Sequence, residues 1–131
     1  LDSFSNNRFD LVTANTVFSS ILDDVGRQAL TKDMWRLLKP GGWMLVFDFR
    51  YNNPSNPNVR KVGRYELLSC CVGFSRAYYN TLLLAPPLAR KIIPLSPLLG
   101  KILSAFFPVL RSHFCLLVQK PNNTEAVCDD H

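Results

Sequence analysis

The sequence has glycine but no glycine motif. Its six glycines, at 26, 41, 42, 63, 73 and 100, form no G-x-G pattern, which excludes a strand-to-helix loop built to cradle a phosphate. Gly41-Gly42 is no substitute, because the pair precedes an apolar run and opens no helix N-terminus. Cys70, Cys71, Cys115 and Cys128 show no C-x-x-C spacing, and His113 and His131 stand apart, so no metal site is expected. The vicinal pair Cys70-Cys71 is hard to bridge, and reduced thiols in a cytoplasmic protein are the expectation. No uncharged run of about eighteen residues is present, which excludes a transmembrane helix. No signal peptide is visible, so the sequon at Asn122-Asn123-Thr124 is read as chance. The first residue is Leu1, not Met, and upstream sequence is expected to be missing. Internal repeats and low-complexity segments are absent as well.

What is present suits one folded domain. Hydrophobic residues make up 47% of the 131 and charged residues 19%, a globular composition. A chain of this size can bury roughly two thirds of its unfolded surface. The net charge is +5, but the 15 basic residues are scattered and do not interleave with aromatics, so no nucleic-acid partner is expected.

Order along the chain follows from periodicity. Phe9 to Ala14 reads as a short strand entered from the polar turn Ser5-Asn6-Asn7-Arg8. Asp23 or Asp24 offers an N-cap, and Leu30, Met34, Leu37 and Leu38 make one stripe of an amphipathic helix. Lys39-Pro40-Gly41-Gly42 then reads as a helix stop and a turn, since glycine takes the left-handed conformation and proline cannot continue a helix. Trp43 to Phe47 is an apolar run expected as a strand covered on both faces. Strand, helix and strand form a right-handed βαβ unit with parallel strands, which brings Ala14-Asn15-Thr16 and Asp48-Phe49-Arg50 to one carboxyl edge. Open α/β sheets bind ligands at that edge. The loop from Asp48 to Arg60 should overhang it, as a ligand loop or as an ordinary solvated one.

Residues 62–71 suggest a short helix, and 75–84 a strand with helix as the competing reading. Residues 85–110 are apolar and proline-punctuated. They read first as core or lid helices and second as a surface lying against a membrane or a lipid-linked substrate. His113 to Gln119 closes the chain as a last strand, and residues 122–131 read as a flexible tail.

The strand "RFDLV", the helix ending "LLKPGG", the strand "WMLVFDF" and the closing "SHFCLLVQKP" resemble, in order and spacing, the carboxyl-terminal half of a class I S-adenosylmethionine-dependent methyltransferase. The likeness covers about residues 4–121. "TVFSSILDD", "FDFRYNNPSNPNVR" and "LAPPLAR" further resemble bacterial methyltransferases encoded among glycan-assembly enzymes. The resemblance implies an α/β, Rossmann-like partial sheet whose strands correspond to 4-5-7-6, with flanking helices and the last strand antiparallel. It also implies an exposed edge at Phe9–Ala14 that invites self-association.

The cofactor implied is S-adenosylmethionine, with Ala14, Asn15 and Val17 as one wall of its pocket. The family's glycine-rich loop and ribose-binding acid have no counterpart, so this chain alone is expected to be inactive. Asp2-Ser3 also departs from the family's usual Leu-Pro. Methyl transfer needs alignment above all. For a hydroxyl acceptor, Asp48 and His113 are the candidate general bases. Arg50, Tyr51, Asn52 and Arg60 are the candidate contacts to the acceptor, a small molecule or a saccharide, free or lipid-linked. The alternatives are a non-catalytic methyltransferase-like binding domain and a peripheral membrane protein.

Overall fold

The computed structural model describes residues 4–54, 56–84, 90, 91, 94, 96–106 and 111–122. Strand β1 (Phe9–Asn15) is followed by a 3-10 turn (Phe18–Ser20), helix α1 (Asp24–Leu37) and strand β2 (Leu38–Phe49). Helix α2 (Arg64–Leu68), strand β3 (Arg76–Leu84), helix α3 (Pro97–Phe106) and strand β4 (Arg111–Gln119) complete the described elements. The fold is α/β with a four-stranded mixed sheet of order β1-β2-β4-β3. β1 and β2 run parallel, and β4 is antiparallel to both β2 and β3. This is the strand order and direction that the family resemblance implies, with β1 at the sheet edge. Residues 75–84 resolve to the strand reading rather than the helix.

Helix α1 begins where a carboxylate can cap it: Asp23 accepts the Gly26 amide at 2.5 Å. Met34, Trp35 and Leu38 from this helix and its exit, Leu67 from α2, and Val62 and Cys71 beside α2 pack on Ala14, Met44, Val46, Phe114, Leu116 and Val118. These sheet residues alternate with Leu11, Trp43, Leu45, Cys115 and Leu117, which lie on the opposite face. Among the described residues that opposite face is only partly covered: Leu11 is 55% exposed, and Trp43, Leu45 and Phe47 are half-buried. β2 was expected to be covered on both faces. Its alternating burial shows that α1 and α2 close one side alone.

The Lys39–Gly42 segment corrects the sequence reading. It is no turn, because α1 passes directly into β2 at Leu38, whose backbone is already extended (φ −70°, ψ 135°). The pairing with β1 slips from Phe9↔Leu38 to Leu11↔Trp43, so extra β2 residues bulge out of the ladder there. Gly41 adopts φ +76° within the bulge, a conformation that suits glycine. A Cβ on Gly42 would lie 2.9 Å from the Lys39 carbonyl and 3.1 Å from that of Asp10.

The carbonyls at the end of α1 find partners outside the helix. The Asn7 and Arg8 amides donate to Arg36 O (3.1 Å) and Leu37 O (2.8 Å). Lys120 Nζ donates to Trp35 O at 3.0 Å and Leu38 O at 2.8 Å. Among the described residues no helix is long and apolar enough to cross a membrane. The expected flexible tail beyond Asn122 and much of residues 85–110 lie outside the described residues.

Candidate functional site at the carboxyl edge

The parallel strands β1 and β2 end side by side, at Asn15 and Phe47 to Phe49. The next residue of the first strand, Thr16, has φ +53°. For a β-branched residue this is an outlier that costs about 1–3 kcal/mol. Its amide donates to Phe47 O at 2.8 Å, extending the ladder one step before the chain turns away. Phe18 and Ser19 in the following 3-10 turn are fully buried and anchor it.

Asp48 holds the two strand ends together. It is 0% exposed, its Oδ2 accepting the Ser19 amide at 3.1 Å and its Oδ1 the Phe49 amide at 2.8 Å. The carboxylate therefore fastens the 3-10 turn to β2 and faces the closed side of the sheet, opposite Phe114. Of the expected pocket wall, Asn15 and Val17 are exposed at the edge, while Ala14 is buried in the core beneath them.

His113 pairs with Phe49 across the strands and so belongs to the opposite face from Asp48. The structure does not put the two candidate bases on one surface. The imidazole stacks on Phe47 (centroids 5.1 Å apart) and tilts against Phe49 (4.3 Å). Its Nδ1 shares a 2.8 Å hydrogen bond with Ser112 Oγ. Burial pushes the His113 pKa below its ordinary 6.5, with the Asp48 charge pulling weakly the other way. The ring is thus neutral at pH 7.

The loop after β2 is tied down largely by its own candidate residues. Asn52 Oδ1 accepts the Lys61 amide at 2.8 Å. The Arg60 guanidinium is engaged by Asp24 and, at 3.8 Å, by Glu66. Arg50 donates to Arg111 O at 3.2 Å and lies 5.1 Å above the exposed Tyr51 ring. Asn52 and Arg60 brace the loop and its neighbours, whereas Arg50 and Tyr51 form a cation–π pair at its start.

The residue that sequence reasoning missed is Arg27. It is 1% exposed and donates from Nε to Ile21 O (2.6 Å), from NH1 to Lys61 O (3.0 Å) and from NH2 to Arg60 O (3.0 Å). Glu66 balances its charge at 3.4 Å. A signal was there: Arg27 continues the α1 stripe through Thr31, Met34, Trp35 and Leu38, and a charge on an apolar stripe implies a buried, fully bonded group.

A profile of a methyltransferase domain family matches residues 1–46, which run through β1, the 3-10 turn, α1 and most of β2. No curated protein sequence matches the chain. Among solved structures, a SAM-dependent methyltransferase from Archaeoglobus fulgidus is similar at 12% identity and a TM-score of 0.61, over 91% of this chain and 62% of that one. Phosphoethanolamine N-methyltransferase 2 of Haemonchus contortus, in complex with S-adenosyl-L-methionine, is similar at 15% identity and TM-score 0.58, over 92% of this chain and 35% of that one. The [4+2]-cyclase SpnF gives 15% identity and TM-score 0.58, over 92% and 54%. The class these likenesses define is a Rossmann-like α/β fold shared with methyltransferases. The chain spans between 35% and 62% of the length of these three structures.

Proposed function

We propose that the chain is the carboxyl-terminal part of an S-adenosylmethionine-dependent methyltransferase acting on a small-molecule or saccharide acceptor. The observation that carries this reading is the half-sheet β1-β2-β4-β3 with its antiparallel β4, together with the family match over residues 1–46. Fold alone does not fix chemistry, as the cyclase among the similar structures illustrates. Exposed Asn15 and Val17, on either side of the strained Thr16, fit one wall of a cofactor cleft. The wall opposite, with its glycine-rich loop, is not supplied by this sequence.

When bound, the cofactor supplies a methyl group already activated on a sulfonium, which leaves the chain to orient and to exclude water. In this reading Asp48 holds the wall in place through Ser19, and neutral His113 takes the acceptor proton. Arg50 and Tyr51 meet the acceptor at the loop's start.

Calorimetric titration with S-adenosylhomocysteine tests the reading. The 131-residue chain by itself should give no binding heat, and adding the upstream polypeptide should restore stoichiometric binding. Absence of binding with the upstream part present would sink the proposal. Tight binding to the chain alone would show that half a pocket suffices and would refute the fragment reading.

A further inference from the structure

The second half of the chain has an unusual charge distribution. From Leu67 to Thr124 there is no aspartate or glutamate, while Arg76, Arg90, Lys91, Lys101, Arg111 and Lys120 are all basic. Within this acid-free stretch lies α3, Pro97–Phe106. At about 100° per residue, Leu98, Leu99, Ile102 and Phe106 share an arc of roughly 100°. All four are exposed, Leu98 to 67% and Phe106 to 76%. Gly100, on roughly the opposite side, is buried. Among the described side chains the helix thus turns Gly100 toward the domain and Leu98, Leu99, Ile102 and Phe106 outward, the reverse of ordinary amphipathic packing.

We propose that α3 is a membrane-surface anchor whose Leu98, Leu99, Ile102 and Phe106 enter the headgroup–acyl boundary of an anionic bilayer. Exposed Lys101 flanks the apolar arc by about 60°, close enough for its stem to lie along the boundary and its ammonium to reach the headgroups. Arg90 and Lys91, also exposed, precede the helix. Arg90, Lys91 and Lys101, exposed on and before α3 in a stretch without one acid, are complementary to an anionic surface. A protein partner fits less well, since the stripe offers no tryptophan, tyrosine or arginine of the kind that dominates protein interfaces. Among the described residues no helix is long and apolar enough to span, so the geometry is one of lying in the interface plane.

Co-sedimentation of the full-length protein with vesicles tests this without reference to methyl transfer. Phosphatidylcholine vesicles containing phosphatidylglycerol should pellet the protein at low salt, pure phosphatidylcholine vesicles should pellet far less, and raised salt should release it. Ile102→Asp with Phe106→Asp should reduce binding by about tenfold or more and leave the thermal midpoint unchanged, because both positions are exposed. Lys101→Glu should weaken binding by a smaller factor. Equal recovery with neutral and anionic vesicles would overturn the proposal, as would binding indifferent to the double substitution. If the double variant instead dissociates an oligomer in sedimentation velocity while the parent ignores vesicles, the stripe is a contact between copies and the membrane assignment fails.

Discussion

The two faces of the sheet are made from the same strands and have opposite fates. On one, Met44, Val46, Phe114, Leu116 and Val118 are closed over by α1, α2 and the residues flanking α2. On the other, Trp43 stacks on Tyr78 at 6.1 Å, and a shallow hollow lies between Leu45, Asn80, Cys115 and Leu117, with Tyr78 and Leu82 exposed. That hollow sits mid-sheet, away from the carboxyl edge, and is a consequence of incomplete cover among the described residues. The contrast teaches that one face carries the stability of this chain while the other keeps unused apolar area. In a longer relative of this fold such area is where further elements can pack.

The contrast can be broken most sharply at paired positions. Phe114→Ala, in the closed face against Tyr79 (centroids 5.4 Å), should cost about 3–5 kcal/mol in denaturant unfolding. Tyr78→Ala on the open face should cost about 1 kcal/mol or less. Equal losses would mean that the open face is packed in solution, by a second copy or another segment.

Next in size comes the hub on the closed side. Arg27→Met should lose about 3 kcal/mol, because three loop carbonyls and Glu66 lose their donor. Arg27→Lys should rescue little of it, since an ammonium cannot spread its donors as the planar fork does. A silent Arg27→Met would show that the 50–62 loop holds itself.

The smallest effect is one of pH. With the folded pKa of His113 below 6.5, the unfolded chain binds the proton more readily, so stability is full above about 6.5 and declines as the pH falls through the folded value. The thermal midpoint should drop across that window, and His113→Asn should flatten the drop. Asp10 and Asp24 also have lowered pKa values, through Lys39 and Arg60, but their windows lie below 3.8 and stay separate. An unchanged slope in the His113 variant would remove the imidazole from the account.

Part of this was legible in the sequence because it is written in periodicity. The α1 stripe and the parallel β1–β2 pair follow from residue spacing, and the family resemblance supplied the position and direction of β4; the alternating burial of β2 did not show, because Trp43 to Phe47 is apolar at every position. What was not legible depends on contacts distant in sequence. Lys39–Gly42 reads locally as a turn, yet Gly41 N is held by Lys120 O at 3.1 Å and Gln119 Nε2 donates to Gly41 O at 3.1 Å, which makes a bulged strand of it. Asp48 reads as a ligand-edge acid, and only the fold reveals that two backbone amides occupy its oxygens. Asn52 and Arg60 read as acceptor contacts, but Asn52 is held by Lys61, nine residues on, and Arg60 by Asp24, 36 residues back. Ala14 illustrates the parity of a strand: one residue before the exposed Asn15, it necessarily faces inward.

Lys120 has a consequence for how the chain is made. Its ammonium reaches Asn7, 113 residues earlier, as well as the last carbonyls of α1. While the polypeptide is still leaving the ribosome, α1 can coil, but its Trp35 and Leu38 carbonyls lack the Lys120 ammonium until β4 and the residue after it have emerged. Such long-range closure slows folding and prolongs the exposure of unpaired strand edges. For a newly synthesised molecule, the emergence of β4 is therefore a timing signal: its arrival completes the unit of β1, α1 and β2.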